Sequence, residues 1–143
     1  MKLIIAAADG SAGAERAVAV AAELAASRKA KLLIVNISED NLSNAELRLI
    51  ERLRVTEGDA LEEISRRILS KAAAIASDHG AANVATKSGC GDPTKVILDT
   101  VKNEHADAIV VGRRGRGQLE GLLLGSVSQK IAILARCIVI IVP

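Results

Sequence analysis

The sequence has no Phe, Tyr or Trp, only two Pro and two Cys, and almost no excess of charge, with 19 Lys and Arg set against 17 Asp and Glu for a formal +2 over 143 residues. Each shortage removes a class of function. Without aromatic faces there is no platform on which the bases of a single strand stack, and no pair of rings to sandwich a flavin or a purine. A charge of +2 is too weak to hold a polyanion, so no nucleic-acid partner is expected. Any ring bound by this chain must rest on aliphatic groups. Cys90 and Cys137 form neither a CxxC pair nor a secreted-type framework, which fits a reducing compartment, and the chain is expected in the cytoplasm. No window approaches the roughly 18 apolar residues that cross a bilayer, so no membrane partner is expected. The opening run Leu3-Ile4-Ile5-Ala6-Ala7-Ala8 stops at Asp9, too soon for a signal-peptide core, and reads as a buried strand.

Half of the residues are apolar. A chain of this length buries about two-thirds of its unfolded surface in one core, so residues 1–143 are read as a single domain. Strand and helix signals alternate along it. Apolar strands are expected at 3–8, 31–37, 83–88, 108–111 and 137–142, and helices at 12–26, 126–135 and, between the strands, from three cap signals. Ser43 with Glu46 and Asp59 with Glu62 have capping-box spacing, with Thr56-Glu57-Gly58 read as an interruption between two helices. Asp92-Pro93 is an N-cap followed by proline at the first helical position. Strands without a polar face, alternating with helices, imply an α/β fold with an open, doubly wound parallel sheet covered by helices on both faces.

The densest signal follows the fourth strand. There Gly112-x2-Gly115-x9-Gly125-Ser126 leads directly into a helix. A phosphate chain needs main-chain N–H groups that it can approach without a Cβ in the way, and a helix N-terminus adds free donors and partial positive charge. Ser126 can add a hydroxyl, and Arg113, Arg114, Arg116 and Lys130 place positive charge nearby. Each part has a plainer reading. Gly115, Gly117 and Gly121 can simply keep a loop pliable, the arginines can be a solvated rim, and Ser126 with Gln129 is itself a capping box. Together, at one strand end, they favour an anion site. In an open parallel sheet ligands sit at the carboxyl edge where connections diverge, which would bring Asp9 beside Gly112 if the first and fourth strands are neighbours. Asp9 there accepts from a ribose hydroxyl or holds a metal bridging to phosphates; equally, it only shapes the turn Asp9-Gly10-Ser11.

Other chemistries lack their residues. There is no GxxxxGK[ST] loop, no GxGxxG after the first strand, no HExxH or Cys/His ligand set, and no nucleophile, base and orienter in sequence register. A phospho-receiver would want an acidic pair at the first strand and an acceptor Asp at the third, whereas Asp9 stands alone and the third strand ends in Ser88-Gly89. Cys137 is expected to be inert core and Cys90, between glycines, an exposed thiol. No general base is evident, so the chain is not read as an enzyme.

The glycine-serine motif, Asp9-Gly10-Ser11, the Gly91-Asp92-Pro93 turn and the closing Cys137-Ile138-Val139-Ile140-Ile141-Val142 resemble the universal stress protein family across essentially the whole chain. That resemblance implies a five-stranded sheet in the order 3-2-1-4-5 and a stress-response regulator that binds ATP, with ADP or AMP as alternatives and Mg²⁺ as an open companion. It assigns Gly112, Gly115, Gly125 and Ser126 to phosphates and ribose, with Val127 in the same stretch. Ala7 and Asp9 would line the nucleotide crevice, and Ile37 would meet adenine. It also implies a homodimer through the last strand. The alternative within the family is a dimerisation or interaction module of the same fold that binds no nucleotide. Ala6-Ala7-Ala8 stands where many relatives carry larger residues, and Asn36 where a histidine is frequent.

Overall fold

The computed structural model describes residues 1–39, 44–54, 56–115 and 123–143. Its elements run β1 (Leu3–Ala7), α1 (Ala12–Arg28), β2 (Lys31–Ser38), α2 (Asn44–Leu53), α3 (Glu57–Asp78), β3 (Val84–Cys90), α4 (Pro93–Asn103), β4 (Ala108–Gly112), α5 (Ser126–Leu134) and β5 (Ile138–Val142). The five strands form one parallel sheet in the order β3-β2-β1-β4-β5. β1 and β4 are therefore neighbours, in the register Ile4 to Ala108 and Ala6 to Val110.

Alternation along each buried strand divides the core in two. Ile4, Ala6, Leu32, Ile34 and Val110 pack under the small residues of α1 and the apolar stripe of α3, while Ile5, Leu33, Val35, Ile109 and Val111 pack against α4 and α5. Both faces are covered, which is why these strands carry no polar side. Five alanines of α1, Ala14, Ala17, Ala21, Ala22 and Ala25, are buried and let that helix lie close to the sheet.

The helix starts explain themselves locally. Ser11 caps α1 by accepting from the Ala14 N–H at 3.2 Å, and Asp92 caps α4 by accepting from Lys95 N–H at 2.9 Å with Pro93 in the first turn. The third helix departs from expectation. Its cap is Thr56, whose Oγ1 accepts from the Asp59 N–H at 3.1 Å, so Thr56-Glu57-Gly58 begins the helix that Asp59 was expected to open. A threonine hydroxyl on extended backbone is among the favoured caps, and the helix tolerates the following glycine in its exposed first turn. The Ser43 cap lies outside the described residues. β3 runs two residues past its expected end, carried by pairing of Ile37 with Gly89 and Ser38 with Cys90. β5 begins at Ile138, and Cys137 before it is only half-buried, so the inert-core expectation for this thiol is corrected, although burial does raise its pKa.

At the amino edge of the sheet Asp107 closes the structure. Its Oδ2 accepts from the Lys2 and Leu3 N–H groups at 2.7 and 2.9 Å, and these bonds hold its pKa below the ordinary 3.8. A depressed carboxylate stabilises the fold fully above its unfolded pKa and loses that contribution as pH falls through the folded value. Asp107→Asn, which keeps an acceptor but cannot titrate, is expected to lower the urea midpoint at pH 7, with the gap to the wild type closing below about pH 4. A gap that does not change with pH would contradict this account.

Candidate functional site

The carboxyl edge of the sheet opens into a cleft of about 530 Å³ between the ends of β1, β2 and β4. Ala7, Asp9, Ile37, Gly112, Gly115, Gly125, Ser126 and Val127, the eight residues singled out in the sequence, all line it. The topology is what assembles them. β1 and β4 lie side by side and send their connections to opposite faces, α1 to one and α5 to the other, leaving the crevice that such a divergence creates.

The wall on the α5 side is built around the carbonyl of Arg113. It accepts from the Gly125 N–H at 2.7 Å and from Ser128 Oγ at 2.8 Å, while the Arg113 N–H donates to Val142 O at 2.7 Å. The start of α5 is thereby pinned to the end of β4. Ser128 Oγ lies 3.0 Å from Gly125 O as well, so its one proton is shared between two acceptors. Gly125 is the N-cap and has no side chain to offer α5, and Gln129 N–H donates to Gly125 O, so the Ser126–Gln129 capping box is not formed. The first turn of the helix keeps main-chain donors at Ser126 and Val127 on the cleft wall, where the helix dipole adds partial positive charge.

The glycines turn out to answer to different neighbours. A Cβ on Gly112 would lie 2.9 Å from the Gly13 carbonyl carbon, because the end of β4 touches the first turn of α1. That glycine is required by the fold itself. At Gly115 a Cβ would lie 2.6 Å from Asp9 Oδ2, so the loop and the acidic turn close on each other. At Gly125 a Cβ would meet only ordinary contacts at 3.4 Å. Asp9 takes its turn-forming role, accepting from the Ser11 N–H through Oδ1 at 2.9 Å, and lines the cleft at the same time. The two readings of that residue are compatible. Arg116, Gly117 and Gly121 lie outside the described residues.

Residues that sequence reasoning missed complete the walls. Leu61, Ile64 and Ile68 of α3 face Pro93 and Ile97 of α4 across the end of β2, which supplies aliphatic surface on the side of Ile37. Their helical spacing in the sequence makes them one apolar stripe of α3, and only tertiary packing shows that this stripe reaches the cleft. Asn36 is buried and donates from Nδ2 to Ala8 O at 2.7 Å, tying β2 to the turn that carries Asp9. Ser128 hid behind its neighbour Ser126. Among the described residues no group of three or more His, Cys, Asp or Glu comes together as a metal site, and no helix is long and apolar enough to cross a membrane.

The whole of residues 1–143 matches the universal stress protein family. The chain belongs to that family. It is 34% identical over 148 residues to a universal stress protein of Thermus aquaticus encoded in the QAH/OAS sulfhydrylase 3′ region, covering 99% of this chain and 98% of that one. Among solved structures, the universal stress protein UspA of Lactobacillus plantarum superposes with a TM-score of 0.81 at 23% identity, over 99% of this chain and 97% of that one. The universal stress protein of Archaeoglobus fulgidus, solved in complex with dAMP, superposes with a TM-score of 0.71 at 25% identity, over 100% and 98% of the two chains. Nucleotide binding is thus a property of some members of the universal stress protein family, and the sheet order expected from the resemblance is the one found.

The glycine geometry separates two kinds of constraint within the Gly112 to Ser126 segment of this universal stress protein. Gly112→Ala forces a carbon against the main chain of α1 and is expected to cost about 1–3 kcal/mol in stability, the usual range for overpacking. Gly125→Ala, with room for its methyl group, is expected to cost less, about 0.5 kcal/mol, the penalty of alanine in place of glycine at an N-cap. Urea denaturation of the two variants checks the contrast, and equal losses would contradict it.

Proposed function

We propose that this protein is a stress-response regulator that binds an adenine nucleotide, ATP first, in the cleft at the carboxyl edge of its sheet. The observation that carries the reading is the open N-terminus of α5, which has no side-chain cap and sets Ser126 and Val127 on the wall of a cleft shared with Asp9 and Gly115. Main-chain N–H groups at a helix start bind phosphate oxygens through directed hydrogen bonds and the helix field together. The opposite wall, from Ile37 to Leu61 and Ile64, is aliphatic and fits a purine held without aromatic stacking.

Ala7 and Asp9 would meet the ribose, and Gly112, Gly115, Gly125 and Ser126, with Val127 beside them, the phosphates. The described residues hold no preformed cluster of metal ligands, so a Mg²⁺ ion arriving with a triphosphate would take its oxygens chiefly from the phosphates and water, as this ion commonly does. The protein is proposed to work in the cytoplasm as a homodimer through β5. That strand is an edge of the sheet, and its first residue Ile138 is exposed, as are Ile133 and Leu134 of α5. Pairing with a second copy would cover an apolar edge that is otherwise open to water.

Isothermal titration calorimetry with ATP and Mg²⁺ tests the reading. Saturable binding is expected, and Gly115→Val, whose side chain would displace the Asp9 carboxylate, is expected to abolish it while the dimer seen by size-exclusion chromatography with light scattering persists. No heat at millimolar nucleotide from a folded sample would refute the nucleotide assignment. Binding that survives Gly115→Val unchanged would remove the loop from the site.

A further inference from the structure

The positive residues near the glycine motif are not equivalent in space. Of the cleft-lining residues described, three carry charge, Asp9, Glu39 and Arg114. Arg113 and Lys130 are not among them, and Lys130 is exposed on α5. Arg114 is half-buried, and its Cα sits 3.4 Å from where a Cβ of Gly125 would be, beside the start of α5. Its main chain is fixed from the other side, with its carbonyl oxygen 3.0 Å from a Cβ position on Gly13. The residue is therefore held at the junction of β4, α1 and α5, at the end of the cleft opposite Ile37 and Glu39.

This arrangement has an electrostatic consequence that depends on the number of phosphates. The charged residues described along the cleft are two that carry carboxylates and one that carries a guanidinium. A single phosphate can be held by the N–H groups and dipole of α5, which are fixed in place. Each further phosphate adds negative charge to a cleft that already holds two carboxylates, and Arg114 is the one cation that lines it among the described residues. A guanidinium presents several donors in a planar fork and stays charged at every working pH, which suits it to a phosphate oxygen beyond the first.

Resting on the nucleotide reading above, we propose that Arg114 sets the number of phosphates the site prefers, so that with it the cleft favours di- and triphosphates and without it the cleft is a nucleoside monophosphate site. The α5 N-terminus supplies affinity common to all three nucleotides, and Arg114 supplies the difference among them.

Calorimetric titrations of wild type, Arg114→Gln and Arg28→Gln with ATP, ADP and AMP at fixed Mg²⁺ and two salt concentrations test this. Arg28 ends α1, far from the cleft, and controls for the change in net charge. Arg114→Gln is expected to weaken ATP roughly tenfold or more and AMP less than about twofold, on the scale of one charge-assisted hydrogen bond. The selectivity of the wild type for ATP over AMP should shrink as salt rises, and that of Arg114→Gln should not. Equal losses for all three nucleotides in a variant that melts like the wild type would overturn the proposal, as would the same loss in Arg28→Gln. AMP binding retained in Arg114→Gln keeps the site reading intact whatever becomes of the selectivity. If wild type binds none of the three, both readings fall.

Discussion

One main-chain carbonyl, that of Arg113, organises the functional end of the molecule. By accepting from Gly125 N–H and Ser128 Oγ it fixes where α5 begins, and its own residue's N–H is bonded to Val142 at the end of β5. With the start of α5 held there, its first two residues, Ser126 and Val127, lie on the wall of the cleft. A helix whose N-cap carries a hydroxyl or carboxylate would spend part of that turn on its own side chain. With glycine at the cap, the donors of the first residues stay on the cleft wall.

The same region shows how packing shapes the cleft. Gly112 is needed because two backbones touch, and Gly115 because a loop closes on a carboxylate. Neither requirement involves a ligand directly, yet both set the distance between the acidic turn after β1 and the start of α5. The aliphatic wall has a comparable double role. Leu61, Ile64 and Ile68 extend the stripe that seats α3 on the sheet, and their outermost atoms become the surface of the cleft. In a chain without aromatics, these groups together with Ile37, Pro93 and Ile97 supply the apolar surface of the cleft.

Much of this was legible in the sequence because the signals were local. Continuous apolar runs separated by capped helices specify a parallel sheet, and the spacing of Gly112, Gly115 and Gly125 before Ser126 marks a strand, loop and helix that can approach an anion. The neighbourhood of β1 and β4 is not local, and came from the resemblance to relatives. The errors also have physical causes. Thr56 and Asp59 are both good caps three residues apart, and the chain chose the earlier one. The helical spacing of Leu61, Ile64 and Ile68 marks a buried stripe but not where that stripe runs past the sheet edge. Ser126 carries the motif's hydroxyl, yet Ser128 makes the structural bonds, a difference of side-chain direction within one helical turn.

The central claim is that main-chain amides at the start of α5 take the phosphates. Amide ¹H–¹⁵N spectra recorded during a titration with ATP address it directly. The account predicts that the resonances of Ser126, Val127 and Gly115 move most and saturate together. Shifts confined to other surfaces, with those three amides unmoved at saturation, would contradict it.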